Sequence, residues 1–161
     1  MIHDYAQKED GWCGPAALSY ALSKQGKDIR QEVLVKKTGT TVSEGVDQSP
    51  LVKAVKDAGM ETIVTQGRDA KETLDLLDSY VRNGWSVVLD YLQGDHMDDG
   101  HYVVLENVHK DSLEVFDPSN GGSMRTMEKK YFIDHWKDVG GDGKTLRHWA
   151  LVFSRKGSYA D

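Results

Sequence analysis

The stretch Gln7-Lys-Glu-Asp-Gly-Trp-Cys13-Gly-Pro-Ala-Ala-Leu18 marks the start of a helix. Pro15 closely follows Cys13, and proline is favoured in the first turn of a helix, where its missing N–H leaves no bond unmade. Small and apolar residues then recur at helical spacing until Gly26, which can end the helix. The sequence therefore places Cys13 at the amino-terminal end of a helix.

Three further helical patterns follow in the first half of the chain. They cover residues 31–38, a segment that Ser49-Pro50 opens and Gly59 ends, and a segment that Asp69 opens and Gly84 ends. Asp69 with Glu72 three residues later resembles a capping box. We expect one short strand, residues 61–65, between the last two helices.

After Gly84 the composition changes to that of β-strands. Residues 85–92, 101–108, 112–117 and 146–154 are rich in valine, leucine and aromatic residues, and one helical pattern, residues 128–137, interrupts them. Helices followed by strands predict an α+β fold, with the amino-terminal helices packed on a mainly antiparallel sheet. We expect a single domain over residues 1–161, helix-rich in 1–84 and sheet-rich in 85–161.

Composition excludes two classes of partner. The 161 residues include 26 acidic and 20 basic side chains, for a net charge of −6, and no segment combines clustered lysine or arginine with aromatics. Nucleic-acid binding is therefore not expected. The longest apolar runs are far shorter than the roughly 20 residues that cross a bilayer. Residues 1–10 show no signal-peptide core, so the sequence predicts a cytoplasmic protein without a membrane span.

Cys13 is the single cysteine of the chain, so neither an internal disulfide nor a paired-cysteine metal site is available to it. A lone cysteine is more often buried packing than chemistry. A reactive cysteine needs its thiolate stabilised, and the end of a helix provides part of that stabilisation. A nearby general base has to provide the rest.

His101 is the candidate base, because it opens an apolar strand after Gly100. If residues 109–111 connect this strand to the next, the apolar pattern sets the register. The opposed pairs are then Val103 with Asp117, Leu105 with Val115, and Asn107 with Leu113. His101 and Asp117 fall on one face in this register, whereas a two-residue or four-residue connection would send them to opposite faces.

A carboxylate beside the histidine would fix its tautomer and stabilise the imidazolium. Asp117 suits this role, because Pro118 ends the strand and leaves the carboxylate at a defined corner. Gln7 lies in a segment that has to pass the start of the first helix. Its amide is a candidate donor to a developing oxyanion, together with the backbone N–H of Cys13.

Gln7, five intervening residues and the Cys13-Gly-Pro-Ala-Ala-Leu18 run resemble the catalytic motif of the C39-like peptidases, papain-like cysteine peptidases of the bacteriocin-processing type. Residues 26–29, 51–59, 100–105 and 116–121 continue the resemblance in the family's order. The resemblance implies a papain-like fold, a peptide or protein substrate and no cofactor. It assigns Gln7 to the oxyanion hole, Cys13 as nucleophile, His101 as base and Asp117 as third member of the triad.

One position departs from the leader-processing branch of that family. Trp12 stands where the branch usually has an acidic residue, so the resemblance does not extend to specificity for double-glycine leader peptides. A glycine-rich cleavage site stays open, and so does the role of Trp12. Two other functions also stay open: acyl or peptidyl transfer through the same thioester, and peptide binding without cleavage.

A metal site is the alternative use of His101. His96, Asp98, Asp99 and His101 are dense in possible ligands, but their spacing matches no closed-site pattern. We therefore expect a polar loop here and no metal.

Overall fold

The fold comes from a computed structural model, which describes residues 5–94, 97 and 99–155. Over these ranges the chain forms five helices and eight strands. The helices are α1 (Cys13–Ser23), α2 (Gln31–Thr38), α3 (Gln48–Asp57), α4 (Ala70–Arg82) and α5 (Lys129–His135). The strands are β1 (Met60–Thr65), β2 (Ser86–Gln93), β3 (Asp99–Val108), β4 (Ser112–Asp117), β5 (Ser123–Glu128), β6 (Lys137–Val139), β7 (Thr145–Arg147) and β8 (Ala150–Arg155).

Six strands form one antiparallel sheet in the order β1-β8-β2-β3-β4-β5, and β6 and β7 form a separate hairpin. Alternate residues of a strand point to opposite faces, and each face of this sheet is buried. Helices α1, α2 and α3 cover one face, where Leu18 and Leu51 pack near Val104. Helices α4 and α5 cover the other, where Leu77 and Phe132 are buried near Val103. The predicted α+β class is confirmed, and α4 and α5 add a second helical layer.

The predicted helices agree with the structure to within a few residues at each end, because their signals are local. Asp69, for example, accepts a hydrogen bond from the backbone N–H of Glu72 at 3.0 Å, as a capping residue does. None of the helices in the described ranges is both long and apolar enough to cross a membrane.

Three strand assignments were wrong or missing. Residues 146–154, predicted as one strand, divide at His148, whose φ of 57° breaks the extended backbone. The first part pairs with β6, which was not predicted, and the second joins the main sheet. Strand β5 was also missed, because five of its six residues are exposed and only Met127 is buried. Pairing with β4, rather than an apolar pattern, supports this edge strand.

The predicted register of β3 and β4 is right at the end that carries the candidate site. Leu105 lies opposite Val115 as predicted, and Val104 lies opposite Phe116. Continuing this ladder brings Asp117 opposite Val103, two residues along β3 from His101. The two strands therefore deliver His101 and Asp117 to the same face of the sheet.

Nearer the turn the predicted register was wrong. Asn107 lies opposite Glu114 rather than Leu113, because the register shifts between Leu105 and Asn107. The intervening residue, Glu106, is a β-bulge that adds one residue to β3. If the pairing nearest the turn continued along both strands, His101 and Asp117 would lie on opposite faces of the sheet. The extra residue at Glu106 brings them onto the same face.

Gly11 fixes the approach of the chain to α1. Its φ is +80°, and a Cβ atom built there would lie 2.5 Å from the carbonyl oxygen of Thr41 and 2.6 Å from that of Val42. The loop that carries these carbonyls is closed by two hydrogen bonds between Thr41 and Gly45. Only glycine suits both the backbone conformation and the close contact.

Replacing Gly11 by alanine should therefore destabilise the fold more than a comparable change elsewhere. Gly59 is the matched control, because its φ is +84° and nothing lies within 4 Å of its built Cβ. We expect the free energy of unfolding to fall by about 1 kcal/mol for Gly59→Ala. For Gly11→Ala we expect a loss of about 3 kcal/mol, because the loop has to move as well. Urea unfolding followed by circular dichroism measures both, and equal losses would contradict the tight contact.

Candidate active site

Cys13 is the first residue of α1, as predicted, and its side chain is partly buried. The residues that follow it, from Gly14 to Leu18, are buried against the sheet. Gly14 has to be small, because a Cβ there would lie 2.6 Å from the side chain of Val46. Close packing thus holds the beginning of α1, and with it the thiol, in one position.

His101 and Asp117 form a buried pair behind Cys13. Nε2 of His101 lies 2.7 Å from Oδ1 of Asp117, and the two side chains are 4% and 2% exposed. Cys13 and His101 line the same cavity and interact electrostatically. Burial lowers the pKa of His101, but the hydrogen bond to Asp117 and the interaction with Cys13 outweigh it and raise the pKa from 6.5 to about 10.

Asp117 is held by more partners than the sequence indicated. Ser119 donates to Oδ1 through both its backbone N–H at 2.9 Å and its hydroxyl at 2.6 Å. Arg125 donates to Oδ2 at 3.0 Å. Although burial raises the pKa of Asp117, the hydrogen bonds from His101 and Ser119 hold it well below its usual range. The carboxylate stays ionised and orients the imidazole.

Gln7 lies on the lining of the same cavity as Cys13 and His101. Its backbone N–H donates to the carbonyl of Pro118 at 2.8 Å, which fixes it beside the corner that follows Asp117. One side-chain N–H donates to the carbonyl of Glu9 at 3.2 Å. A carboxamide has two N–H donors, so the second is available to a ligand. The side-chain oxygen is buried and has no hydrogen-bond partner among the described residues.

The cavity above these residues has a volume of about 550 Å³ and an acidic lining. None of the described residues that line it is lysine or arginine, whereas five are acidic: Asp10, Glu44, Asp47, Asp99 and Asp138. A hydrogen bond fixes one wall of the cavity: the hydroxyl of Tyr102 donates to the carbonyl of Val46 at 2.9 Å. The negative lining should repel acidic ligands and attract basic ones.

A buried carboxyl group lies behind this lining. Asp90 is 1% exposed, and one of its oxygens accepts from Gln48 at 2.6 Å. Burial, and then the adjacent carboxylate of Asp138, raises the pKa of Asp90 well above its usual range. Both effects favour the neutral form of Asp90, whose other side-chain oxygen is buried without a hydrogen-bond partner among the described residues. Sequence reasoning gave no sign of this pair, which joins residues far apart in the chain.

Tyr91 packs against the imidazole of His101. The two rings meet edge to face with centroids 6.0 Å apart, and Tyr91 lies opposite His101 in the ladder of β2 and β3. Its hydroxyl is buried without a hydrogen-bond partner among the described residues. Burial raises the pKa of Tyr91 to about 12. The ring thus covers part of the imidazole without adding charge.

The structure thus brings Gln7, Cys13 and His101 to one cavity and places Asp117 behind the histidine. Of the partners missed from sequence, only Ser119 had a local signal, since a hydroxyl residue two positions after aspartate often closes a side-chain turn. The metal alternative partly falls on His96 and Asp98, which lie outside the described residues. Within the described ranges, no group of three or more possible ligands is arranged to hold a metal ion.

A family model described as Peptidase_C39 like matches residues 2–144. The chain belongs to this family. Family membership supports a cysteine peptidase, in agreement with the motif around Cys13.

Solved structures are similar in fold over most of the chain. The peptidase domain of Streptococcus ComA, an ABC transporter described as bifunctional, matches with a TM-score of 0.71 and 19% identity, over 94% of this chain and 96% of that one. A double glycine motif protease from an AMS/PCAT transporter, in complex with a leader peptide, has a TM-score of 0.66 and 17% identity, over 94% and 89%. A C39-like peptidase from Bacillus anthracis has a TM-score of 0.68 and 16% identity, over 91% and 90%.

These similarities confirm the papain-like cysteine peptidase fold that the resemblance implied. No curated protein sequence gives a significant match.

The pair of His101 and Asp117 can be tested by titration. We expect Asp117→Asn to lower the pKa of His101 well below about 10, because the neutral amide no longer stabilises the imidazolium while burial still opposes it. Histidine signals in NMR spectra, followed against pH, report this midpoint. Arg125→Met is the control of opposite sign, because removing a cation beside Asp117 should leave the pKa of His101 unchanged or higher.

The same shift makes stability depend on pH. A raised pKa in the folded state means that the charge of His101 contributes its full stabilisation below pH 6.5 and loses it as the pH rises toward about 10. Stability of the wild type should fall across this window, and Asp117→Asn should flatten the fall. An unchanged midpoint for His101 in Asp117→Asn would show that the carboxylate does not control the imidazole.

Proposed function

We propose that the chain is a cysteine peptidase that hydrolyses peptide bonds through Cys13, His101 and Asp117. The observation that carries the proposal is the buried, hydrogen-bonded pair of His101 and Asp117, which interacts with the Cys13 thiol at an open cavity. A cysteine held only for packing would not need a buried base with its own ionised partner. Family membership supports the same function.

In the first half of the reaction, the Cys13 thiolate attacks the carbonyl carbon of the scissile peptide bond. The backbone N–H of Cys13 lies at the start of α1, where it has no partner within the helix, and can donate to the oxyanion. The free side-chain N–H of Gln7 provides a second donor. The His101 imidazolium then protonates the leaving amine, the carbon–nitrogen bond breaks, and an acyl-enzyme remains.

In the second half, His101 is neutral and acts as a base. It removes a proton from water, the hydroxide attacks the thioester, and the thiolate leaves with the proton back on His101. Asp117 keeps the imidazole ring oriented through both halves. Each proton and electron pair is accounted for without a cofactor.

The substrate in this proposal is a peptide or an extended segment of a protein. One structurally similar protease was solved with a leader peptide, which supports a peptide ligand in a cavity of this kind. The acidic lining favours neutral or basic residues near the scissile bond and disfavours acidic ones. A glycine-rich cleavage site is compatible with this preference, because glycine brings no charge.

Removing the thiol should abolish hydrolysis. We expect Cys13→Ala and His101→Ala to lose all measurable cleavage of a defined peptide mixture, and Asp117→Ala to lose less, because it orients the base without reacting. Mass spectrometry of the mixture over time measures cleavage, and circular dichroism checks the fold. His109→Ala, which removes an exposed histidine at the turn after β3, is the matched control and should keep wild-type activity. Wild-type turnover by Cys13→Ala would exclude the proposal.

The same assay separates hydrolysis from the two other functions. With an added amine, a transferase gives products heavier by the mass of that amine, whereas a hydrolase gives mainly free carboxylates. A binding module gives tight association and no acyl-enzyme. Alkylation of Cys13 by iodoacetamide tests the thiol independently, because the chain has one cysteine and intact mass reports it without ambiguity. Wild type should react much faster than His101→Ala at neutral pH.

The role of Gln7 predicts a loss in turnover rather than in binding. We expect Gln7→Ala to lower kcat by about 100-fold with little change in KM, because an oxyanion donor acts mainly in the transition state. Gln7→Glu keeps the shape but not the donor and should lose at least as much. Gln66→Ala, at an exposed position directly after β1, is the control. A change in KM alone would assign Gln7 to substrate binding.

A further inference from the structure

Gln31 is a buried residue that contacts the chain on both sides of Gln7. It is the first residue of α2 and is only 4% exposed. Its Nε2 donates to the carbonyl of Ala6 at 2.8 Å, and its Oε1 accepts from the backbone N–H of Lys8 at 3.1 Å. One carboxamide therefore satisfies one backbone group before Gln7 and one after it.

The segment around Gln7 needs such an attachment, because it has no regular helix or strand of its own between Ala6 and Trp12. The N–H of Gln7 binds the carbonyl of Pro118, which secures one side. On the other side, the salt bridge between Lys8 and Glu32 is exposed and contributes little. Gln31 provides the buried attachment to α2.

We propose that Gln31 is a positioning residue, which holds the Gln7 amide where it can donate to the oxyanion. The inference rests on the proposed peptidase function. An oxyanion donor has to be held within about 0.5 Å of its productive position, which a free loop does not provide. With Gln31 and Pro118 on its two sides, the backbone of Gln7 cannot shift without breaking one of these partly buried or backbone hydrogen bonds.

We expect loss of the Gln31 amide to lower turnover and to leave substrate binding unchanged. Without the Gln31 amide, the carbonyl of Ala6 and the N–H of Lys8 lose these partners, and the segment is free to move to find others. Gln7 then spends less time in the productive position. Cys13, His101 and Asp117 are held by other contacts and stay in place, so attack on the substrate continues with a weaker oxyanion hole.

The test compares Gln31→Met with Gln25→Met. Gln25 is also a buried glutamine, 6% exposed, and its amide nitrogen donates to Gly84 and Ser86 at 2.9 Å, but none of these residues lines the cavity. Methionine has a similar length and no amide in either place. Both variants lose buried hydrogen bonds, so both should lose stability in urea unfolding. Only Gln31→Met should lower kcat, by about tenfold, with KM unchanged.

A double-mutant cycle with Gln7→Ala tests whether Gln31 acts through the Gln7 amide. If Gln31 acts through the Gln7 amide, Gln31→Met should cost about tenfold in the wild-type background and almost nothing when Gln7 is already alanine. Equal losses in both backgrounds would overturn the inference, and so would a kcat loss of the same size in Gln25→Met. The alkylation rate of Cys13 should be the same in Gln31→Met as in wild type, because the pair with His101 is untouched.

Failure of this inference is distinguishable from failure of the proposed function. An active wild type whose kcat does not change in Gln31→Met overturns the role of Gln31 alone. A wild type that cleaves no peptide and has a slowly alkylated thiol overturns both.

Discussion

The antiparallel pairing of β3 with β4 is the constraint on which the rest of the site depends. It sets His101 and Asp117 on one face of the sheet at a distance of 2.7 Å, and the bulge at Glu106 supplies the parity that makes this possible. The Glu106 side chain also accepts hydrogen bonds from Tyr20 of α1 and from Lys24, which follows that helix. The bulge that aligns His101 with Asp117 thus also attaches β3 to the helix that begins with Cys13. The bulge at Glu106 therefore helps to position all three candidate residues, Cys13, His101 and Asp117.

How far the sequence predicts this arrangement depends on the range of each signal. Cys13 at the start of α1 and the cap at Asp69 follow from neighbouring residues, and both were predicted. The facing of His101 and Asp117 was also predicted, but by a register that omitted the bulge. A bulge has no signal in an apolar pattern, because it changes pairing without changing composition. The correct facing came from the match of Leu105 with Val115, a pair that lies between the bulge and the candidate site.

The partners that sequence reasoning missed are those joined only by the tertiary fold. Arg125 lies on an edge strand with an exposed, polar pattern, so nothing indicated that it would meet Asp117. Gln31 opens a helix that was predicted with the right bounds, yet its amide satisfies backbone groups 23 and 25 residues away in sequence. Buried polar side chains of this kind are invisible to periodicity, which registers only whether a residue is apolar.

The negative charge of the many carboxylates around the site limits how well it can stabilise a thiolate. A thiolate at Cys13 benefits from the imidazolium of His101, whose positive charge is stabilised from behind by Asp117. A second ionised carboxylate close to the sulfur would oppose that charge, and Asp90 is near enough to Cys13 for the two to influence each other. Burial, and then the neighbouring Asp138, raise the pKa of Asp90 and favour its neutral form, in which it accepts a hydrogen bond from Gln48 without adding a charge. The two buried carboxyl groups therefore differ: Asp117 is ionised and bonded to His101, whereas its surroundings favour the neutral form of Asp90. Their burial is similar, and what separates them is the set of donors around each carboxyl group.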